Sequence, residues 1–222
     1  PWLRGDQFDA VMNYPFTTNI LKLFAKQNIS PKEFVESMTG VIHMYTRNIN
    51  EAAFNLVGSH DTPRILTECE EDLDRVKQVF TLMLTFIGTP CIYYGDEVGM
   101  TGTQDPGCRK CMEWDKENQN TDLFNHIQKL IQLRQDHPLL RNAGELSFVA
   151  PEHHDKCLAY TKSDGDKTIL VILNTSSHSV EYPLPNGLAG KSMNNLWNDA
   201  KMELLDDIVH LQGNGFAILE LT

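Results

Sequence analysis

Three groups of side chains in this sequence have the types and spacing to do chemistry. The first is His60-Asp61, an imidazole beside a carboxylate within Asn55-Leu-Val-Gly-Ser-His-Asp-Thr-Pro-Arg64. It reads either as a working pair or as a turn device, since Asp ahead of Thr-Pro ordinarily satisfies backbone groups in an Asx-turn. The second is Asp96-Glu97. Two adjacent carboxylates can bind a metal or move protons, but neighbours on an extended chain point opposite ways, which favours a structural role. The third is Cys108-x-x-Cys111. A structural zinc site needs four ligands and no second pair stands at finger spacing, so these read as loop cysteines without function. His153-His154 lacks a ligand partner and reads as solvated surface. No metal and no cofactor is expected.

These groups are carried by alternating elements. Residues 52–57 form a short apolar run that reads as a buried strand, broken at Gly58-Ser59 just before His60-Asp61, with Pro63 unable to continue a ladder. A buried strand ending in an ionisable turn is where parallel α/β folds keep their chemistry. Upstream, residues 8–12 read as a strand and residues 19–24 as a short helix. Ser30-Pro-Lys-Glu33 is a strong helix start, with Ser as cap, Pro in the first turn and Glu three residues after the cap. Phe34, Val35, Met38, Val41, Ile42 and Tyr45 then recur at helical spacing to about Asn48. A second helix runs from Glu70 to Ile87, stopped by Gly88, and residues 90–94 form another apolar strand ending at Asp96-Glu97. A polar loop over 99–117 carries Asp105, Arg109 and Trp114 into a helix over 121–136, stopped by Pro138. Strand–helix alternation of this kind means parallel strands with crossover helices.

From Gly144 the grammar becomes all-β. Strands are expected at 146–149, 157–161, 168–173, 180–184, 208–211 and 216–221, separated by turns such as Ser163-Asp-Gly165 and Gly213-Asn-Gly215. The expected architecture is therefore α/β plus all-β, with one unit over residues 1–142 and an antiparallel sandwich over residues 143–222.

Composition narrows the function classes. The chain has 222 residues, 41% hydrophobic and 22% charged, as in a soluble globular protein. A net charge of −11 argues against a nucleic-acid partner, which needs clustered Lys and Arg. The longest apolar stretch, near residues 79–87, is too short to span a membrane. Five scattered cysteines suit reduced thiols in a cytoplasmic protein better than a disulfide framework.

Several motifs in order carry a closer resemblance. Leu56-Val-Gly-Ser-His-Asp-Thr-Pro-Arg64 resembles a signature region of the α-amylase family, glycoside hydrolase family 13, in the wording of its neopullulanase, cyclomaltodextrinase and maltogenic-amylase branch. Gly88-Thr-Pro-Cys-Ile-Tyr-Tyr-Gly-Asp-Glu-Val-Gly99 resembles that family's eighth-strand region, and Asp105-Pro-Gly-Cys-Arg-Lys-Cys-Met112 the loop after it. Trp2-Leu-Arg-Gly-Asp-Gln-Phe-Asp-Ala-Val-Met-Asn-Tyr-Pro-Phe16 resembles the lead-in to the sixth strand. The resemblance implies the C-terminal part of a (β/α)8 TIM barrel, about strands six to eight, followed by a β domain, acting on an α-glucan oligosaccharide. It implies that Asp61 is the transition-state stabiliser and that His60, Asp105 and Arg109 bind substrate, although an Arg–Asp pair that merely orders the loop explains the last two equally well. Trp114 and Tyr14 are loop aromatics that either stack on a sugar face or pack their loops down.

By the same resemblance the nucleophile and the acid/base lie on the fourth and fifth strands, before this sequence begins. A whole barrel needs about 250 residues, far more than the 142 available here. The chain alone is expected to be inactive, with a complementing N-terminal chain or self-association covering its open edges. Two other readings remain: a non-catalytic carbohydrate-binding module, and a transglycosylase or isomerase of the same family.

Overall fold

The capping box at Ser30 forms as its residue types require. In a computed structural model, which describes residues 3, 7–150, 154–198, 200–202 and 207–221, Ser30 Oγ accepts from Glu33 N at 3.3 Å. The Glu33 carboxylate in turn accepts from Ser30 N at 2.7 Å. Helix α2, Pro31–Met44, follows and buries Phe34, Val35 and Met38. Before it, α1 (Tyr14–Ile20) is capped by Asn13, and the chain widens into a π-helical turn over Leu21–Ala25. The helix expected to run to about Asn48 instead breaks at Tyr45, and a short α3, Arg47–Ala52, takes up Ala52. Strand β1 is consequently only Phe54–Leu56.

Strand β1 pairs in parallel with β2, Thr89–Cys91, while Met12 makes an isolated parallel bridge to Phe54. The strand expected over 8–12 is thus reduced to one bridging residue, and the strand expected over 90–94 stops at Cys91, before its two tyrosines. Between β1 and β2 lie α4 (Ile65–Glu68) and α5 (Leu73–Thr85). Helix α5 starts later than its periodicity suggests because Glu70 and Glu71 adopt φ of 56° and 63° and Asp72 caps the helix. Gly88, at φ 115°, turns α5 back into β2 where a side chain would strike the Asn55 amide. The buried Arg134 of α6 (Thr121–Asp136) braces the same corner, donating to the carbonyls of Leu84, Phe86, Leu140 and Gly88 at 2.6–3.0 Å.

The β domain holds a six-stranded antiparallel sheet in the order β3-β4-β5-β10-β7-β8, and a two-stranded sheet of β6 and β9. These are β3 (Glu145–Phe148), β4 (Cys157–Ser163), β5 (Thr168–Asn174), β6 (Val180–Pro183), β7 (Met193–Asn195), β8 (Ala200–Met202), β9 (Ile208–Leu211) and β10 (Phe216–Leu221). Period-2 alternation explains its two faces. Leu158, Tyr160, Ile169, Val171, Leu173 and Ile218 pack against the helices in one core shared with Phe80, Leu130 and Phe86. Ala159, Leu170, Ile172 and Leu219 point the other way, into a second core beneath β6 and β9 with Tyr182 and Val209. The near-continuous apolar run in β5 follows from burial on both sides.

Strands β7 and β8 were not expected, because Met193-Asn-Asn195 offers little of the β-branched or aromatic enrichment that marks strands. Residues 2 and 4–6 of the lead-in motif, and His153, lie outside the described residues.

Candidate active site

The turn after β1 is built from its own side chains. Ser59 N donates to Thr62 Oγ1 at 2.9 Å, and Asp61 N donates to Ser59 Oγ at 3.2 Å. Val57, Gly58 and Ser59 are buried, then His60 and Asp61 emerge with side chains 57% and 59% exposed. They sit just beyond the C-terminal end of a parallel strand, the end that carries chemistry in α/β barrels.

The four residues singled out from the sequence come together in one chain of contacts. His60 Nε2 lies 3.1 Å from Asp61 Oδ2, Arg109 donates to Asp61 Oδ1 at 3.1 Å, and Arg109 Nε lies 3.3 Å from Asp105 Oδ1. Asp105 is 60% exposed and Arg109 45% exposed, so this network contributes little stability and is available to a ligand. The Cys108 thiol, buried, donates to the His60 carbonyl at 3.3 Å and ties the long loop to the turn. Cys111 is exposed, and all five cysteines are free. Among the described residues no group of three or more His, Cys, Asp or Glu side chains is arranged to hold a metal ion. Trp114 is 79% exposed, so it does not pack its loop down; Tyr14 is also exposed. His154 packs its ring against Tyr182 at 5.8 Å and accepts from Lys156 N, rather than standing free on the surface.

Beneath this exposed chain lies a buried one that the residue types alone did not reveal. The Arg64 side chain is fully buried, with its guanidinium carbon 4.3 Å from the Tyr93 ring centroid and 4.5 Å from that of Tyr94. It donates to the Tyr94 carbonyl and to Asp96 Oδ1, the latter at 3.2 Å, while Arg64 N donates to Gly102 O at 2.9 Å. The pair Asp96-Glu97 lies in a 3-10 turn, Asp96–Val98, and not on the extended chain expected for it. Asp96 turns inward as the counterion of Arg64, and its Oδ2 lies so close to Gly58 that a Cβ there would collide with it. Gly58 is thus required by the approach of Asp96 to the strand end that launches His60 and Asp61. The sequence signal was present in Arg64 and in Tyr93-Tyr94, but burial of an arginine is not legible from spacing.

Burial pushes the Asp96 carboxyl up from 3.8 to about 7, opposed by Arg64 and reinforced by Glu97. Because the folded-state value is raised, the folded protein holds a proton that the unfolded chain releases. This contribution to stability is full below about pH 4 and is lost as pH rises through about 7. Asp96→Asn should flatten that decline, read as the slope of unfolding free energy against pH between these limits. An unchanged slope would contradict the assignment.

With this geometry in place, comparison with known proteins is direct. The α-amylase catalytic domain family matches residues 1–143, and the maltogenic amylase C-terminal domain family matches residues 146–218. The chain belongs to the α-amylase family. It is 64% identical over 222 residues to a maltogenic α-amylase of Bacillus acidopullulyticus, covering 99% of this chain and 38% of that protein. It is 34% identical to an intracellular maltogenic amylase of Bacillus subtilis, covering 99% of this chain and 37% of the relative. A solved cyclomaltodextrinase superposes with a TM-score of 0.88 at 39% identity, over 100% of this chain and 38% of the other. The chain thus spans well under half the length of each of these three relatives. The expected fold holds: the C-terminal part of an α-amylase-type catalytic barrel followed by an antiparallel β domain.

Proposed function

We propose that this chain supplies the substrate-gripping part of the active site of a retaining α-glucan hydrolase. The observation that carries this is the exposed contact chain His60–Asp61–Arg109–Asp105 at the C-terminal end of β1. In this reading Asp61 stabilises positive charge on the sugar in the oxocarbenium-like transition state, and His60 hydrogen-bonds the same sugar. Arg109 orients Asp61, while Asp105 holds Arg109 and borders the incoming oligosaccharide. The names of the relatives support α-glucans such as maltooligosaccharides and cyclodextrins as substrates, a reading we extend to α-1,6 linkages and pullulan. One carboxylate with one imidazole cannot also be nucleophile and acid/base, which a retaining glycosidase sets about 5 Å apart. Those two carboxylates are assigned to polypeptide outside these 222 residues.

Exposed apolar side chains around β1 support the same reading. Phe8, Val11, Met12 and Phe54 are all more than 40% exposed around the bridge between Met12 and β1. Apolar surface of this kind beside open strand edges invites closure by the remaining barrel strands or by a second copy. Five free thiols, and the intracellular relative, favour a cytoplasmic setting. Among the described residues no helix is long and apolar enough to cross a membrane.

The test is complementation. Neither the 222-residue chain nor a preceding barrel segment should release reducing sugar from maltotriose, while the two mixed should. Release by the chain alone would overturn the division of labour.

A further inference from the structure

A large cavity lies away from the site described above. It measures about 680 Å³, within the ordinary range for small-molecule sites, and opens between α5, α6 and the β domain. None of His60, Asp61, Asp105 or Arg109 lines it.

Its chemistry is that of a neutral, hydroxyl-rich ligand. Carboxamides from Asn125, Asn195, Asn198 and Gln212 line it, each carrying both a donor and an acceptor, as a sugar hydroxyl does. The charged groups around it are already matched to one another. Lys77 Nζ sits 2.6 Å from Asp122 and 3.8 Å from Asp74, and His210 Nδ1 lies 3.8 Å from Glu181. Lys129 Nζ rests over the Trp197 ring, 4.4 Å from its centroid. His126 is kept neutral by burial, which pulls it down to about 4. The two lysines and two aspartates among the lining residues carry no net charge, so the cavity selects neither an anion nor a cation.

Trp197 supplies the apolar plane. It is half-buried, held by Phe216 at 5.1 Å and His126 at 4.9 Å, so its ring is fixed in place before any ligand arrives. The covering lysine sits on an exposed, flexible stem that can swing off the ring at little cost. The walls are joined by Gln78 Nε2 of α5, which donates to the Asn174 carbonyl of β5 at 2.6 Å. Pre-organised carboxamides around a fixed aromatic ring lower the ordering cost of binding.

We propose that this cavity is a second carbohydrate site, taking a neutral α-glucan segment and holding polymer beside the catalytic barrel. The choice of α-glucan rests on the function proposed above; the neutrality and hydroxyl matching do not.

The experiment is an NMR titration of the full 222-residue chain with maltoheptaose, following side-chain amide and indole signals. Shifts at Asn125, Asn198, Gln212 and Trp197, with a dissociation constant on the order of 1 mM, are expected. The double variant Asn125→Ala/Asn198→Ala, at two exposed positions, should weaken binding about tenfold without altering the melting temperature, a difference of about 1.4 kcal/mol. Asp61→Asn should leave it unchanged. Shifts confined to the His60–Asp61 turn and the Asp105–Arg109 loop would overturn the second site while supporting the α-glucan reading. Shifts at the cavity produced by cello-oligosaccharide but not by maltoheptaose would overturn the α-glucan assignment here, again without touching the barrel site. No shift at any of these signals would overturn the proposal outright.

Discussion

Asp61→Asn, placed in a polypeptide that carries a complete barrel, is expected to lower kcat/KM on maltotriose by about a thousandfold, roughly 4 kcal/mol. The substitution keeps size and one hydrogen-bond acceptor and removes the negative charge. That charge matters most when positive charge develops on the sugar, so the loss should fall mainly on kcat. The contact chain makes a second statement. Arg109 donates to Asp61 at 3.1 Å, so Arg109→Lys, which cannot bridge Asp61 and Asp105 with a planar fork, should give a smaller loss in the same direction. Steady-state kinetics on the two variants checks both. Near-normal turnover by Asp61→Asn would remove Asp61 from the mechanism.

The second large effect is on folding. Arg64 is fully buried between two tyrosine rings and paired with Asp96 at 3.2 Å. At pH 8, above the Asp96 value of about 7, Arg64→Met should cost about 3–5 kcal/mol, because a buried carboxylate then loses its counterion. In a chain of this size that corresponds to a fall in melting temperature of about 10 °C. Arg64→Met/Asp96→Asn should recover part of the loss, since removing both charges is far less costly than stranding one. Thermal unfolding of the two variants decides it. If the single variant lies within about 1 kcal/mol of the parent, the pair is not the anchor of the turn. Should it hold, the consequence reaches the chemistry, because Asp96 abuts Gly58 and Arg64 closes the segment that begins with His60 and Asp61.

Local signals carried far in this chain where they were strong and self-contained. The capping box at Ser30 and the amphipathic period of residues 121–136 yield α2 and α6 with their starts as expected, because caps and periodicity are written within a few residues. Strands β4, β5 and β10 were equally legible as short apolar runs bounded by turn residues, a property of one strand at a time. Signals that depend on distant partners were not. Residues 8–12 look like a strand, yet among the described residues only Met12 bridges to another strand, its neighbour Phe54. Tyr93 and Tyr94 look like the end of a strand, yet they leave the ladder to enclose Arg64. The asparagines at 194 and 195 hide β7, which pairs with β10 rather than following its own propensity.

The site divides along the same line. His60, Asp61, Asp105 and Arg109 are recognisable by type and by motif, and the fold brings them within 3.3 Å of one another in sequence of contact. The support beneath them, Arg64 with Asp96 and Gly58, depends on burial and on a collision between two loops 38 residues apart, neither of which spacing can express. The exposed network faces solvent, and the buried one lies directly beneath it.

In the function proposed here, Asp61 and His60 grip the sugar at the reacting position. A structure of a polypeptide with these residues in a complete barrel, bound to an uncleaved α-glucan analogue, tests it most directly. Asp61 Oδ and His60 Nε2 should each lie about 2.6–3.0 Å from hydroxyls of the same sugar ring. A ring seated at the barrel mouth with neither side chain in hydrogen-bond reach would contradict it.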